Sequence, residues 1–558
     1  MKRPVVTVQQ AGAVRAGRAL AVGTVALAFA LPLIAALPLA LNEALDAEAW
    51  RALFADPQLP RALGASVFTA LASTLGAIAL TLWLVTHLHA TPAWAWLTAA
   101  LGPMLALPHA AFAIGLAWLI APAGALARLI APLAGWTAPP PWVTVNDPQG
   151  LALVAVLLLK ELPFLLWSAL ALLSRPEVAA TLRGQIAVAR TLGYPPRAWW
   201  WRVGWLQWAP RLAWPVLAVL AYGLTVVDLA LIVGPGSPPT LAVLAWQGLS
   251  DGNTARNAQG AAAALWLTLV LALLAAAGIV VVAAWQRWAR RRAASGVRAH
   301  AGVARRPLAA QATFGALMVV YACAVLALML LSVAGVWTFP ALWPQLVSGT
   351  AWDQVARSAS TVAFTAALAA AASLSGVLLT LAWLEAAPPR WDRRITPLVL
   401  APLVLPQLLL MVGLYRGALA LQLDGTAVGL WWVHTLMVVP YSFTALAPAW
   451  RSFDRRYEWA ALTLGRRRLV FWWRVKGPLL APPLASALAI GFAVSVAQYL
   501  ATQFIGAGRH ATLTTEAVAL ASGGQRTLAA AFALLQALLP ALAFALAALV
   551  QRRPTMRS

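Results

Sequence analysis

An all-α polytopic membrane protein of about twelve transmembrane helices, arranged as two parallel six-helix repeats, is the fold class this sequence predicts. Three observations predict it. The 558-residue chain is 62% hydrophobic and only 10% charged, more apolar surface than a water-soluble globule hides. Its apolar residues gather into runs of about 20 residues or more, the length that crosses a hydrocarbon core. The later runs also repeat features of the earlier ones.

The runs fall near 19–41, 62–86, 94–120, 150–174, 213–235 and 260–285, then near 312–336, 355–384, 395–419, 427–448, 484–506 and 527–550. Twelve spans return both termini to one side, and basic residues choose that side. With a cytoplasmic N-terminus, cytoplasmic segments hold about 31 of the 40 Lys and Arg and the opposite segments about 7. The cytoplasmic clusters include Arg287, Arg290, Arg291 and Arg292, then Arg466, Arg467 and Arg468; acidic Glu43, Asp46 and Glu48 fall in the first external loop. The net charge of +24 thus reads as orientation beside anionic lipid, not as nucleic-acid binding. The first run follows Lys2, Arg3, Arg15 and Arg18 as a signal sequence would, but it exceeds a signal core in length and reads as a retained helix. One cysteine, Cys323, permits no intrachain disulfide and no Cys-based metal site.

Each half places its longest cytoplasmic connection after its fourth span. Residues 187–210 read AVARTLGYPPRAWWWRVGWLQWAP and residues 459–482 read WAALTLGRRRLVFWWRVKGPLLAP, aligned without gaps at an offset of about 272 positions. The third spans match through Leu107-Pro108-His109 with Gly115 and Leu405-Pro406-Gln407 with Gly413; the fourth match through Pro163 and Pro440. Six spans per half is an even number, so the halves run in the same direction about an axis along the membrane normal, with a pathway between them. The organisation expected is a first repeat over 1–290, a basic cytoplasmic linker over 291–311 and a second repeat over 312–558.

In each connection the pattern Ala-x-x-Leu-Gly reads as a short helix closed by a glycine in the left-handed position: Ala189, Leu192 and Gly193, then Ala461, Leu464 and Gly465. Beyond it Trp201, Arg202 and Val203, and likewise Trp473, Arg474 and Val475, supply apolar knobs and a charge. Pro210 and Pro482 mark entry into the next span. A helix-turn-helix with exposed aromatics, presented twice, suits docking of a symmetric partner.

These connections resemble the coupling segment, the EAA loop, of binding-protein-dependent ABC importer permeases. Gly193 and Gly465 match the family glycine, Leu192 and Leu464 the residue before it, Ala189 and Ala461 the second alanine, and Pro478 the later proline, where the first loop has Leu206. The family glutamate is absent: Ala187 and Trp459 stand there, with Glu458 one residue earlier. The resemblance covers essentially the whole chain and implies the type I ABC importer permease fold, two ATPase subunits docked at the cytoplasmic face and a periplasmic solute-binding protein. Two such units in one chain resemble the fused iron(III) and thiamine permeases. The stretches from His434 to Gly465 and from Gln503 to Ala517 look nearest the thiamine type.

The chain's three lysines, Lys2, Lys160 and Lys476, are followed by Arg, Glu and Gly. None completes a Walker A loop, whose lysine precedes Ser or Thr. The chain therefore reads as a transport subunit without its own ATPase site, catalytic residues, cofactor or metal.

Ionisable and polar groups within spans are candidate pathway residues: Lys160 and Glu161 in the fourth span, Asp228 in the fifth, Arg416 in the ninth, with His109, Gln407, His434 and Gln498. Helix–helix pairing serves equally well, for instance Lys160 with Asp228, as does an interfacial place for Arg416. A twelve-helix secondary transporter would share the symmetry without needing matched Leu-Gly loops. A membrane-embedded enzyme would need a clustered acid, base or metal set.

Overall fold

The structure is a computed structural model that describes residues 8–89, 91–294 and 307–552. The expected linker at 291–311 therefore lies, from 295 to 306, outside the described residues, as do Lys2 and Arg3. The described chain is helical, without a named strand, and an isolated pair at Ala334 and Val347 makes a single bridge.

Nine helices among the described residues are long and apolar enough to cross a membrane, and eleven if each of two bent pairs is one span. Eleven of the twelve expected runs coincide with these helices or bent pairs, at least in part. The fifth does not form one long helix. Residues 213–235 fold as Ala213–Thr225 and Asp228–Val233, with Val226 extended between them at φ −66° and ψ 131°. Thr225, Val226 and Val227 are consecutive β-branched residues, which lose side-chain freedom in a helix. Asp228 then restarts the helix from its favoured N-terminal place. The eleventh span breaks at the equivalent point, between Ala481–Val496 and Leu500–Gly506.

The third spans are broken by their prolines. Ala93–Ala106 gives way to His109–Ile120 with Leu107 extended, and Asp392–Val404 to Gln407–Ala420 with Leu405 extended. A proline crowds the residue before it out of the α region. At Pro406 the helices on either side meet at a bend of 103°.

The chain divides into two compact units. One comprises Met1–Glu43, Asp353–Ala517 and Leu535–Ser558, and the other Ala44–Trp352 and Val518–Leu534. Compactness cuts the chain differently from the sequence repeats, because each unit holds the first helix of the other repeat. Two equivalent glycines show why. A Cβ on Gly115 would sit 2.4 Å from the Ala324 carbonyl oxygen of Leu308–Ser332, and one on Gly413 would sit 1.8 Å from that of Ala36 in Leu31–Ala44. At each site a helix backbone crosses at a distance that admits no side chain.

Candidate functional site

The long connection of the second unit begins with Pro176–Thr191. Gly193 follows at φ +80°; its N–H donates to the Arg190 carbonyl, and that of Tyr194 donates to the Ala189 carbonyl. This is a Schellman cap, which satisfies the last carbonyls of the helix. The first unit builds the same cap after Arg456–Thr463. Gly465 has φ +71°, its N–H donates to Leu462, and that of Arg466 donates to Ala461. A short helix follows each cap, Pro196–Trp199 and Arg468–Phe471, then a single π turn, Trp200–Gly204 and Trp472–Lys476. The two π turns keep the sequence offset without slippage.

The π turn sorts each Trp-Trp pair. Trp200 is 1% exposed and packs against Trp205 and His89, whereas Trp201 is 48% exposed. Trp205 is pinned in turn by its indole N–H, which donates to Thr86 Oγ1 at 2.9 Å. In the first unit Trp472 is half-buried and Trp473 is 70% exposed. The leucines before the glycines stand out too, Leu192 at 69% and Leu464 at 78%. Arg202 lies over the Tyr194 ring, Val203 and Val475 are half-buried, and Arg474, Pro210 and Pro478 are exposed. Ala189 is buried under its turn, while Ala461 and Pro482 are half-buried. Each unit thus presents a leucine and a tryptophan outward on a glycine-capped turn.

The two turns are held by different chemistry. Aromatic packing holds the one in the second unit. In the first unit Glu385, at the end of Ala359–Ala386, pairs with Lys476, lies 3.9 Å from Arg468 and accepts from the Trp472 indole at 3.4 Å. Arg468 also pairs with Glu458 at 3.3 Å. The glutamate one residue before the family position is therefore engaged within the turn itself. Glu385 had no motif to single it out. Its one sequence signal is the scarcity of acids, 16 Asp and Glu in the chain.

In the second unit Lys160, Glu161, His109 and Asp228 come together around the break at Pro108. Lys160 is buried and donates from Nζ to the Leu107 carbonyl at 2.6 Å and the Met104 carbonyl at 3.1 Å. It therefore turns to the broken helix rather than pairing with Asp228. Its ammonium lies 5.5 Å from the Tyr321 ring centroid and 5.8 Å from that of Phe112. Tyr321, which no motif marked, donates to the Leu159 carbonyl at 3.0 Å. His109 opens the second half of the broken span, its Nε2 3.5 Å from Glu161 Oε1 and its ring edge-on to Tyr222 at 5.2 Å. Asp228, half-buried, is within electrostatic reach of His109.

The first unit treats its polar residues differently. His434 is buried, with Nδ1 2.8 Å from Ser495 Oγ and Nε2 3.1 Å from Thr502 Oγ1, so it ties together both halves of the broken eleventh span. Arg416 pairs with Glu43 at 2.6 Å. Gln407 begins Gln407–Ala420 directly after Pro406, and Gln498 sits in the break, its carbonyl accepting from Thr502. Among the described residues no group of three or more His, Cys, Asp or Glu is placed to hold a metal ion.

Broken apolar spans, a buried polar cluster at a proline break and paired glycine-capped turns define the class: an all-α polytopic membrane protein. The relatives give the family. The chain is 38% identical over 524 residues to the inner membrane ABC transporter permease protein YnjC of Escherichia coli (strain K12), covering 93% of this chain and 94% of that one. It is 29% identical over 189 residues to each of the molybdenum transport system permease proteins ModB of Mycobacterium bovis and Mycobacterium tuberculosis, covering 32% of this chain and 70% of theirs. The chain belongs to the ABC transporter permeases, which makes it a transport subunit served by ABC ATPases. No protein-family model matches it, and no solved structure does.

Proposed function

We propose that the chain is the fused permease subunit of a binding-protein-dependent importer, with both termini cytoplasmic. The loops over 187–210 and 459–482 each seat on one of two ATPase subunits, and a periplasmic binding protein delivers a small solute. Closure of the ATPases then moves both turns together and switches access across the membrane. The observation that carries this reading is the pair of Schellman-capped turns, each holding a leucine and a tryptophan outward at matched positions. The external segment Pro139-Pro140-Pro141-Trp142 is the candidate contact for the binding protein.

The solute we favour is a small thiamine-like cation. The resemblance of 434–465 and 503–517 to thiamine-type permeases supports it, and so does the chemistry around Pro108. Glu161 and Asp228 supply carboxylates, Tyr222 supplies an aromatic face, and His109 sits among them. The relatives named for molybdenum match only about a third of the chain. Lys160, His434, Gln407, Gln498 and Arg416 complete the proposed pathway set, Lys160 and His434 by shaping the broken spans and the others by polarity along them.

The test is co-purification and reconstitution with candidate ATPases in liposomes loaded with ATP, with the binding protein and labelled thiamine added outside. ATP-dependent uptake is expected. Uptake driven by an ion gradient with no ATPase present would instead make the chain a secondary transporter.

A further inference from the structure

The first unit carries a cleft of about 480 Å³ that the transport reading does not use, within the roughly 300–1,000 Å³ of small-molecule sites. Its walls come from Val8–Val25, Ala359–Ala386 and the start of the coupling turn. Arg18 and Arg468 supply cations to its lining, and Leu378 and Leu381 supply apolar side chains. Leu378 is half exposed, and Leu20 and Leu27, on and just beyond the first helix, are exposed as well. Among the described residues Arg18 has no ion-pair partner. Glu385, the acid in the lining, already faces Lys476 and Arg468. Three cations, Arg18, Arg468 and Lys476, thus stand beside two carboxylates, Glu385 and Glu458.

We infer that this cleft binds one anionic phospholipid, its phosphate between Arg18 and Arg468 and its acyl chains along the Leu378 face. Guanidinium groups suit phosphate because they offer paired donors in one plane. Basic pockets between transmembrane helices at the cytoplasmic side are where anionic headgroups lodge. The exposed leucines beside the cations match a ligand that is charged at one end and hydrocarbon at the other. Such a lipid bridges the first membrane helix and the segment that carries Trp472 and Lys476, so anionic lipid stiffens one coupling turn. The inference leans on the proposed orientation only in naming the cytoplasmic leaflet.

Native mass spectrometry of the purified full chain tests it, with phosphatidylglycerol and phosphatidylcholine as probes. Selective retention of one phosphatidylglycerol is expected, reduced several-fold by Arg18→Gln and by Arg468→Gln, and unchanged by Arg357→Gln on the opposite membrane side. Arg18 is exposed, so its substitution leaves the fold intact even where Arg468→Gln loosens the turn. Inorganic phosphate at millimolar concentration should fail to displace the lipid. Equal retention of both lipids, or retention indifferent to Arg18→Gln, would overturn the inference. ATPase docking is read separately by pull-down, so its failure and loss of the lipid site are distinguishable.

Discussion

Lys160 donates from Nζ to the Leu107 carbonyl oxygen at 2.6 Å, across the gap that Pro108 opens in the third span. A broken helix inside a membrane leaves carbonyls that no water satisfies, and a buried lysine is an unusual but effective partner for them. Substitution Lys160→Met keeps the length and removes the donor. It should destabilise the chain by roughly 3 kcal/mol, the upper cost of leaving buried carbonyls without their donor. A thermal melt in detergent reads this as a lowered midpoint. An unchanged midpoint would mean the break is supported by other groups.

Gly193 and Gly465 have open space where a Cβ would stand, so the demand on them is conformational. Gly193→Val and Gly465→Val each put a β-branched residue at positive φ, a cost of about 1–2 kcal/mol or more. Asparagine tolerates that region better. Valine variants should lose ATP-driven uptake while asparagine variants retain most of it. Full activity in both valine variants would remove the turns from the coupling mechanism.

The two tryptophans of each pair should separate stability from docking. Trp200→Ala empties a buried site and should cost about 3–5 kcal/mol in the melt. Trp201→Ala and Trp473→Ala should leave the melt within about 0.5 kcal/mol. They should weaken ATPase binding about tenfold or more, as loss of an aromatic anchor does. Equal ATPase affinity in both exposed variants would point to another docking surface.

His89 gives the turn of the second unit a pH dependence. Burial against Trp94 and Trp200 lowers its pKa below the ordinary 6.5. The folded state therefore favours the neutral ring. Its contribution is fully present above the unfolded value and is lost as pH falls through 6.5 toward the folded value. Melting midpoints taken from pH 7.5 to 5 should fall, and His89→Phe should flatten that slope. The same slope in both proteins would place the titrating group elsewhere.

At Gly413, Ala brings a Cβ within 1.8 Å of the Ala36 carbonyl oxygen. Because backbone meets backbone there, Gly413→Ala should cost about 3 kcal/mol, the upper range of overpacking. Gly23→Ala, with nothing within 4 Å, should be neutral or slightly stabilising. A harmless Gly413→Ala would show that the two helices separate easily.

What the sequence made legible was local. A Leu-Gly pair at the end of a short helix specifies a left-handed cap, and Leu-Pro specifies an extended residue. The caps at Gly193 and Gly465 and the breaks at Pro108 and Pro406 follow from those rules. Which tryptophan of a pair turns inward depends on His89 and Thr86, far away in the chain, and adjacency alone carries no such information. Lys160 was conspicuous as a buried charge, but its partners are main-chain oxygens, which every residue has. The gap at Val226 was hidden because the run on both sides of it is equally apolar.

The carbonyl of Ala324 against Gly115 also sets an order of events during synthesis. When the ribosome has finished the first repeat, the helix that must lie across Gly115 has not yet been made. The early spans must therefore wait in the bilayer, inserted but incompletely assembled, until Leu308–Ser332 arrives. A polypeptide ending at the linker would stay in that waiting state, open to membrane proteases, and supplying the missing half as a separate chain is what should rescue it.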